Sequence, residues 1–115
     1  GFAEEAWLDQ LPICVDVEHL KYFDYNEKLR EYSRILKKKH RCDLVVALNH
    51  MRVPDDINMA ETNNTDVLDL IFGGHDHHHM EKLVQETGVY VVKSGTDFEH
   101  FNNFTMLTDV SEDAF

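Results

Sequence analysis

The stretch Val67–His79, which reads V-L-D-L-I-F-G-G-H-D-H-H-H, decides the predicted fold. Its apolar run stops at two glycines, a pattern typical of a buried strand, most simply one in a parallel sheet covered on both faces. Ligands of open α/β sheets bind beyond the carboxyl ends of such strands. Because residues without a Cβ let the backbone pass close to a ligand, Gly73 and Gly74 are predicted to approach whatever binds there.

Histidines follow these glycines directly. His75 and His77 are two residues apart, and in an extended segment that spacing points both rings the same way, about 6.5 Å apart. Imidazole is the commonest nitrogen ligand of transition metals near neutral pH, so the pair is interpreted as half of a metal site. The alternative is a solvated histidine-rich segment that binds metal incidentally, and the tract by itself does not decide between them.

A second predicted strand, residues 43–49, is also followed by a histidine, His50. Adjacent parallel strands bring their carboxyl ends to within about 4.8 Å of each other. Considered alone, His50 would more simply be a core or loop histidine. Three imidazoles that converge from two strands are a stronger indication of a metal site than the histidine tract by itself.

The segments around these strands predict helices. Asp24 is a predicted N-cap for a helix through about His40. Pro54 begins a second helix through about Glu61. The apolar spacing of the first helix predicts a buried stripe formed by Tyr25, Leu29, Tyr32 and Leu36.

Shorter extended segments complete the prediction. Residues 13–17 are expected to be extended, residues 80–93 to form a hairpin around Thr87-Gly88, and residues 98–110 to carry a further strand. Helices that alternate with strands and are followed by an antiparallel hairpin predict an α/β fold with a mixed sheet.

Composition limits the possible functions. The chain has 115 residues, of which 43% are hydrophobic, and this suits a globular fold with a core. Its net charge of −11 disfavours nucleic-acid binding through a basic surface, so any phosphate would be held through bound cations. Cys14 and Cys42 are too few for a disulfide framework, and no apolar run is long enough to span a membrane.

The ends of the chain suggest that it is part of a longer protein, since it starts at Gly1 without a methionine and stops abruptly at Phe115. The cellular location stays open at this point, with the cytoplasm slightly favoured.

Two blocks of the sequence resemble a known family, the calcineurin-like metallophosphoesterases, and within it the 5′-nucleotidase branch. They are A-L-N-H-M at residues 47–51 and D-L-I-F-G-G-H-D-H at residues 69–77. The separation of His50 from His75 fits the last two signature blocks of that family. Further similarity extends over nearly the whole chain, at residues 4–8, 42–48, 55–60 and 91–95.

The resemblance implies a phosphoesterase that uses two divalent metal ions (Zn, Mn, Fe, Co or Mg) within a β-sandwich flanked by helices. His50 and His75 would bind one metal ion and His77 the other. Asp76 and Asn49 would support these ligands without binding metal themselves.

The family's three earlier blocks, Asp-x-His, Gly-Asp-x-x-Asp and Gly-Asn-His with a following acid, do not occur in this sequence. Since they supply the bridging aspartate and the catalytic histidine, no catalytic residue is assigned. Residues 1–115 are therefore predicted to be the C-terminal portion of the catalytic domain, half of an αββα sandwich.

The partners of this chain would be a phosphate ester such as a nucleotide and the missing N-terminal half of the domain. Alone, the chain is expected to be inactive and to self-associate through its exposed apolar faces. The alternative is a non-catalytic module that binds a transition metal or a partner chain through the same histidines.

Overall fold

A mixed five-stranded sheet with two helices forms the framework of the chain. The computed structural model describes residues 1–10 and 17–107. Two short 3-10 turns, Glu5–Gln10 and Val17–His19, lie near the N-terminus. The main elements are β1 (Phe2–Ala3), α1 (Tyr25–Lys39), β2 (Val46–His50), α2 (Val53–Thr62), β3 (Leu70–Gly73), β4 (His79–Val84) and β5 (Val89–Ser94).

The strands are arranged in the order β1-β2-β3-β5-β4. Neighbours from β1 to β5 pair in parallel, and β4 pairs antiparallel with β5. The α/β fold, the mixed sheet and the hairpin are therefore confirmed. Strands β2 and β3 each begin three residues later than predicted, because the residues before them belong to connecting loops.

Side chains alternate between the two faces of this sheet. One face, here called the covered face, packs against the helices: Ala47, Ile71 and Val91 lie opposite one another on adjacent strands and are all buried. Leu29 of α1 and Met59 of α2 join them in a single core.

The opposite face, here called the open face, carries large apolar side chains that remain exposed. The exposed fractions are 41% for Val46, 61% for Leu48 and 37% for Phe72. Among the described residues, the helices cover only one face, so the expected coverage on both faces is met at one of them.

Helix α1 begins as predicted, but only Tyr25 and Leu29 of the predicted stripe pack at the core. The Asp24 carboxylate accepts a hydrogen bond from the backbone N–H of Glu27 at 2.8 Å, as an N-cap does. Leu29 and Ser33 are the buried residues. Tyr32 is 54% exposed, and Leu36 is 37% exposed. The prediction that these two belong to the stripe is wrong, because the Ser33 hydroxyl donates to the Val67 carbonyl and turns that side of the helix inward.

The C-terminal segment differs from its prediction. Residues 98–107 form no strand. Asp97 and Phe98 have φ angles of 53° and 60°, which interrupt an extended chain. Phe104 instead packs on the open face, with its ring 6.4 Å from that of Phe72 and 6.0 Å from that of Tyr90.

Several predictions fall wholly or partly outside the described residues. They include Cys14, the strand beyond residue 107, and the extended run over residues 13–17 except for its last residue, Val17, which begins a 3-10 turn and is not extended. Cys42 is partly buried and forms no disulfide within the described residues. None of the described helices is both long and apolar enough to cross a membrane.

Candidate metal centre

The carboxyl ends of β2 and β3 bring two of the predicted histidines together. His50 is the last residue of β2, and His75 follows β3 by two residues. The His75 Nδ1 and His50 Nε2 atoms are 3.0 Å apart. Their ring centroids lie 4.8 Å apart, with an angle of 65° between the planes. Parallel pairing thus creates the contact, because the register places Asn49 opposite Gly73.

His77 does not join this pair. His75 and His77 have φ angles of 79° and 56°, so the segment is a left-handed turn and not an extended strand. Rings two residues apart therefore do not point the same way, as the extended spacing predicted. His77 is exposed, and its ring makes no hydrogen bond or ring contact with other described residues.

The His50–His75 pair fits two ligands of one ion. Nitrogens bound to the same tetrahedral zinc at about 2.0–2.1 Å are about 3.3 Å apart, close to the observed separation. Within residues 1–10 and 17–107, no cluster of three or more His, Cys, Asp or Glu side chains is arranged to hold a metal ion. The described residues therefore provide two converging donors and not a complete coordination sphere.

Glu4 and Trp7, which the sequence did not single out, complete the surroundings of the pair. The Trp7 ring lies 4.9 Å from the His50 ring. The Glu4 side chain is only 5% exposed, and its Oε1 atom lies 3.8 Å from Nε2 of His75. Glu4 directly follows β1, whose carboxyl end lies beside that of β2, so its position could have been inferred only with β1 recognised as a strand.

Glu4 is held in place by Arg52. Its Oε1 atom lies 2.7 Å from Nε of Arg52, and its Oε2 atom accepts from the Arg52 backbone N–H at 2.9 Å. Burial opposes ionisation of Glu4, but these contacts from Arg52 outweigh it and lower the pKa of the carboxyl. The facing Nδ1 of His75 and Nε2 of His50 lie at hydrogen-bond distance, and which of the two nitrogens donates depends on the tautomers of the rings.

Asp76 lies between His75 and His77 in sequence, but its carboxylate contacts neither ring. The Val53 N–H donates to Oδ2 at 2.6 Å, and the Lys93 ammonium donates to Oδ1 at 2.7 Å. Burial favours the neutral acid, but these bonds outweigh it and hold the pKa of Asp76 below its usual value. Asp76 therefore fixes the turn that contains His75 rather than contacting its ring.

Asn49 and Gly73 lie on the covered side of the same edge. The Asn49 amide donates to Oδ1 of buried Asp56 at 2.8 Å. A Cβ on Gly73 would lie 2.5 Å from Asp56 Oδ2 and 2.8 Å from Lys93 Cε. A Cβ on Gly74 would make only ordinary contacts, 3.6 Å or more from its neighbours. Gly73 thus leaves room for a buried ion pair.

This ion pair is the second feature that the sequence analysis missed. Lys93 is 1% exposed, and its Nζ atom lies 2.9 Å from Oδ2 of Asp56, which is fully buried. Burial raises the pKa of Asp56, although its contacts with Asn49 and Lys93 oppose this. A signal was present: Lys93 occupies the same face of β5 as Val89 and Val91, where a charge without a partner would be costly.

The remaining histidines of the tract lie apart from this centre. His78 and His79 are exposed. The His79 ring stacks on that of His100 at 4.8 Å, and its Nε2 atom lies 3.3 Å from the Asn102 side-chain oxygen.

The fold and this centre together define an α/β protein with two facing imidazoles at the carboxyl edge of a mainly parallel sheet. No family model matches the sequence, and no solved structure matches it significantly. The chain is similar to an apyrase from Tabanus yao, with 27% identity over 84 residues. The similarity covers 65% of this chain and 15% of the apyrase, so the chain spans only a small part of that relative.

Proposed function

We propose that this chain is part of a metal-dependent phosphoesterase of the 5′-nucleotidase type that acts on nucleotides. The observation that carries the proposal is the 3.0 Å approach of His50 and His75 at the carboxyl edge of the sheet. The similarity to an apyrase, an enzyme that hydrolyses nucleotide phosphates, supports it independently of the histidines' geometry.

Each histidine has a defined role in this proposal. His50 and His75 would hold one divalent ion through their facing nitrogens, and Zn, Mn, Fe, Co and Mg are the candidate ions. His77, exposed beside them, is available to a second ion. When bound, two such ions would supply the charge that polarises a phosphate ester and lowers the pKa of a bound water. Asp76 and Asn49 would not bind metal: Asp76 would fix the turn that contains His75, and Asn49 would hold helix α2 through Asp56.

The missing half of the site must be acidic. His50, His75 and His77 are neutral donors when they bind metal, and they cannot offset the repulsion between two divalent ions. We place the bridging carboxylate and the general acid in the N-terminal half of the domain, which would also cover the open face. The 115 residues alone then bind metal without hydrolysing phosphate esters.

Calorimetric titration of the chain with Zn²⁺, Mn²⁺ or Co²⁺ tests the metal site. We expect measurable binding that weakens below about pH 6, where histidines are protonated. A His50→Ala/His75→Ala variant should lose it, whereas the matched His78→Ala/His79→Ala variant should keep it. Equal binding by both variants would assign the metal to incidental histidines.

Hydrolysis of p-nitrophenyl phosphate and nucleoside monophosphates with added Mn²⁺ tests the enzyme. The full-length parent should turn these substrates over, and the 115 residues should fall short by several orders of magnitude, since a general acid alone contributes about 10²–10⁴-fold. Turnover by the isolated chain that depends on His75 would show that Asp69, Asp76 or Asp97 supplies the missing acid. An inactive parent that binds metal would favour the non-catalytic module.

A further inference from the structure

We infer that Lys93 is the positioning residue of the metal centre: its buried ammonium fixes the separation of His50 and His75. The inference rests on the proposed function in its metal-binding aspect only. It is carried by the contacts of the Lys93 side chain, which lies on the covered side of the sheet.

The ammonium contacts the backbone next to each histidine. Lys93 Nζ donates to the carbonyl of Met51 at 2.8 Å and to the carbonyl of Gly74 at 2.8 Å. Met51 is the residue immediately after His50, and Gly74 is the residue immediately before His75. One cation therefore ties together the two peptide segments that carry the facing rings, which belong to different strands.

The same ammonium also holds the turn beyond His75. It donates to Asp76 Oδ1 at 2.7 Å, and the other oxygen of that carboxylate accepts from the Val53 N–H at the start of α2. The left-handed φ angles of His75 and His77 cost free energy in residues with side chains, so the turn persists only where its surroundings hold it. The contacts of Lys93 and Asp76 are those surroundings.

The route of the Lys93 side chain explains why it can reach this point. Lys93 lies opposite Gly73 on the adjacent strand, and Gly73 in turn lies opposite Asn49. Because Gly73 has no side chain, the lysine can lie over it and reach the Asp56 carboxylate. Asp56, anchored by Asn49, holds the ammonium in the middle of the sheet edge.

This arrangement separates the charge from the ligands. The lysine contacts two carbonyls and two carboxylates and neither histidine ring, so it does not occupy the nitrogens that a metal needs. Its role is to set where those nitrogens lie relative to each other, and a metal ligand pair is sensitive to displacements well below 1 Å.

The test is made on the whole 115-residue chain with Lys93→Met, and with Lys93→Met/Asp56→Asn. The double variant removes the charge of Asp56 together with its partner, so that it remains folded if the single variant does not. The matched control is Lys37→Met, because Lys37 also joins a backbone carbonyl to a carboxylate, those of Thr65 and Asp69, away from the histidines.

Two measurements read the result. In the metal-free protein, the NMR cross-relaxation between the His50 and His75 rings reports their separation, and Zn²⁺ titration reports the affinity. We expect each Lys93 variant that folds to lose the contact between the two rings and to bind Zn²⁺ at least 10-fold more weakly. Lys37→Met should keep both the ring contact and the Zn²⁺ affinity. A double variant that folds with the ring contact and the Zn²⁺ affinity unchanged overturns the inference.

The two proposals fail separately. If the wild-type chain binds no Zn²⁺ but the ring contact depends on Lys93, the positioning role stands and the metal proposal falls. If Zn²⁺ binds through His50 and His75 equally well without Lys93, the metal proposal stands and the positioning role falls.

Discussion

The covered face and the open face of the sheet are formed by the same strands, yet they differ in what lies against them. On the covered face, Ile71 is fully buried between Ala47 and Val91. On the open face, the adjacent residue Phe72 is 37% exposed. Adjacent residues of β3 thus lie in different surroundings: one is in the core, and the next is on a surface with exposed apolar side chains. The comparison teaches that the helices bury the covered face, whereas the open face buries Leu70 and Val92 but leaves Leu48 and Phe72 exposed.

Truncating side chains on the two faces should give the largest contrast. Ile71→Ala should lower the free energy of unfolding by about 3–4 kcal/mol, because it leaves a cavity in the core. Leu48→Ala, on the open face, should change it by about 0.5 kcal/mol or less. Urea denaturation at low protein concentration measures both. Similar costs at the two positions would show that Leu48 is buried within the chain and would contradict its exposure.

The two glycines at the end of β3 give the next contrast. Gly73→Ala should lower the free energy of unfolding by about 2–3 kcal/mol, because its methyl group would overlap the Asp56–Lys93 pair on the covered side. Gly74→Ala should stay within about 1 kcal/mol of the wild type, since its methyl group has room. Equal stability of the two variants in the same denaturation experiment would contradict the geometry of the buried pair.

Self-association should depend on the open face alone. We expect the chain to sediment as a dimer or larger species at tens of micromolar, with the apolar side chains of one copy covering those of another. Leu48→Lys/Phe72→Lys should raise the dissociation constant at least about 30-fold, the equivalent of about 2 kcal/mol. Ile35→Lys, on the exposed side of α1, is the matched control. If the wild-type chain sediments as a monomer, the prediction that the open face is an interface between copies is wrong.

Tyr25 offers the smallest effect and a test of the helices on the covered side. Its hydroxyl lies 3.3 Å from Asp55 and 3.2 Å from Asn58, both in α2. Burial, together with Asp55, raises the pKa of Tyr25 from 10.0 to about 12.

The sign of the pH dependence follows from this raised pKa. Below pH 10 the hydroxyl is neutral in both the folded and the unfolded chain, and its stabilising contribution is complete. Between pH 10 and 12 the unfolded chain loses the proton first, so stability falls. Urea midpoints from pH 8 to 11 should therefore decline less in Tyr25→Phe than in the wild type. Tyr32→Phe, at an exposed position of the same helix, should behave like the wild type.

The sequence predicted the elements of the covered side better than the relations between them. The Asp24 cap, the α/β order and the β4–β5 hairpin depend on local patterns, and all three are observed. The convergence of His50 with His75 also followed from a simple rule, since parallel strands end at the same edge.

The features that the sequence did not predict depend on contacts between distant residues. Spacing alone implied an extended segment at His75, whereas the segment is a left-handed turn beside a carbonyl that accepts from Lys93, 18 positions further along the chain than His75. Glu4 reaches the site only because a two-residue strand, β1, pairs with β2. No local pattern reports such a partner, although a charged residue in line with Val89 and Val91 could have drawn attention to Lys93.

The two edges of the sheet set a limit on how copies of this chain can assemble. In the described residues the sheet ends at β1, which has only two residues, and at β4, whose Glu81 and Lys82 are exposed. A short strand and a charged strand are both poor templates for adding another strand. Contact through the open face, by comparison, buries the exposed apolar side chains once two copies pair, and leaves no such face for a third copy. Concentrated solutions of the chain should therefore contain closed oligomers of limited size and should not form fibrils.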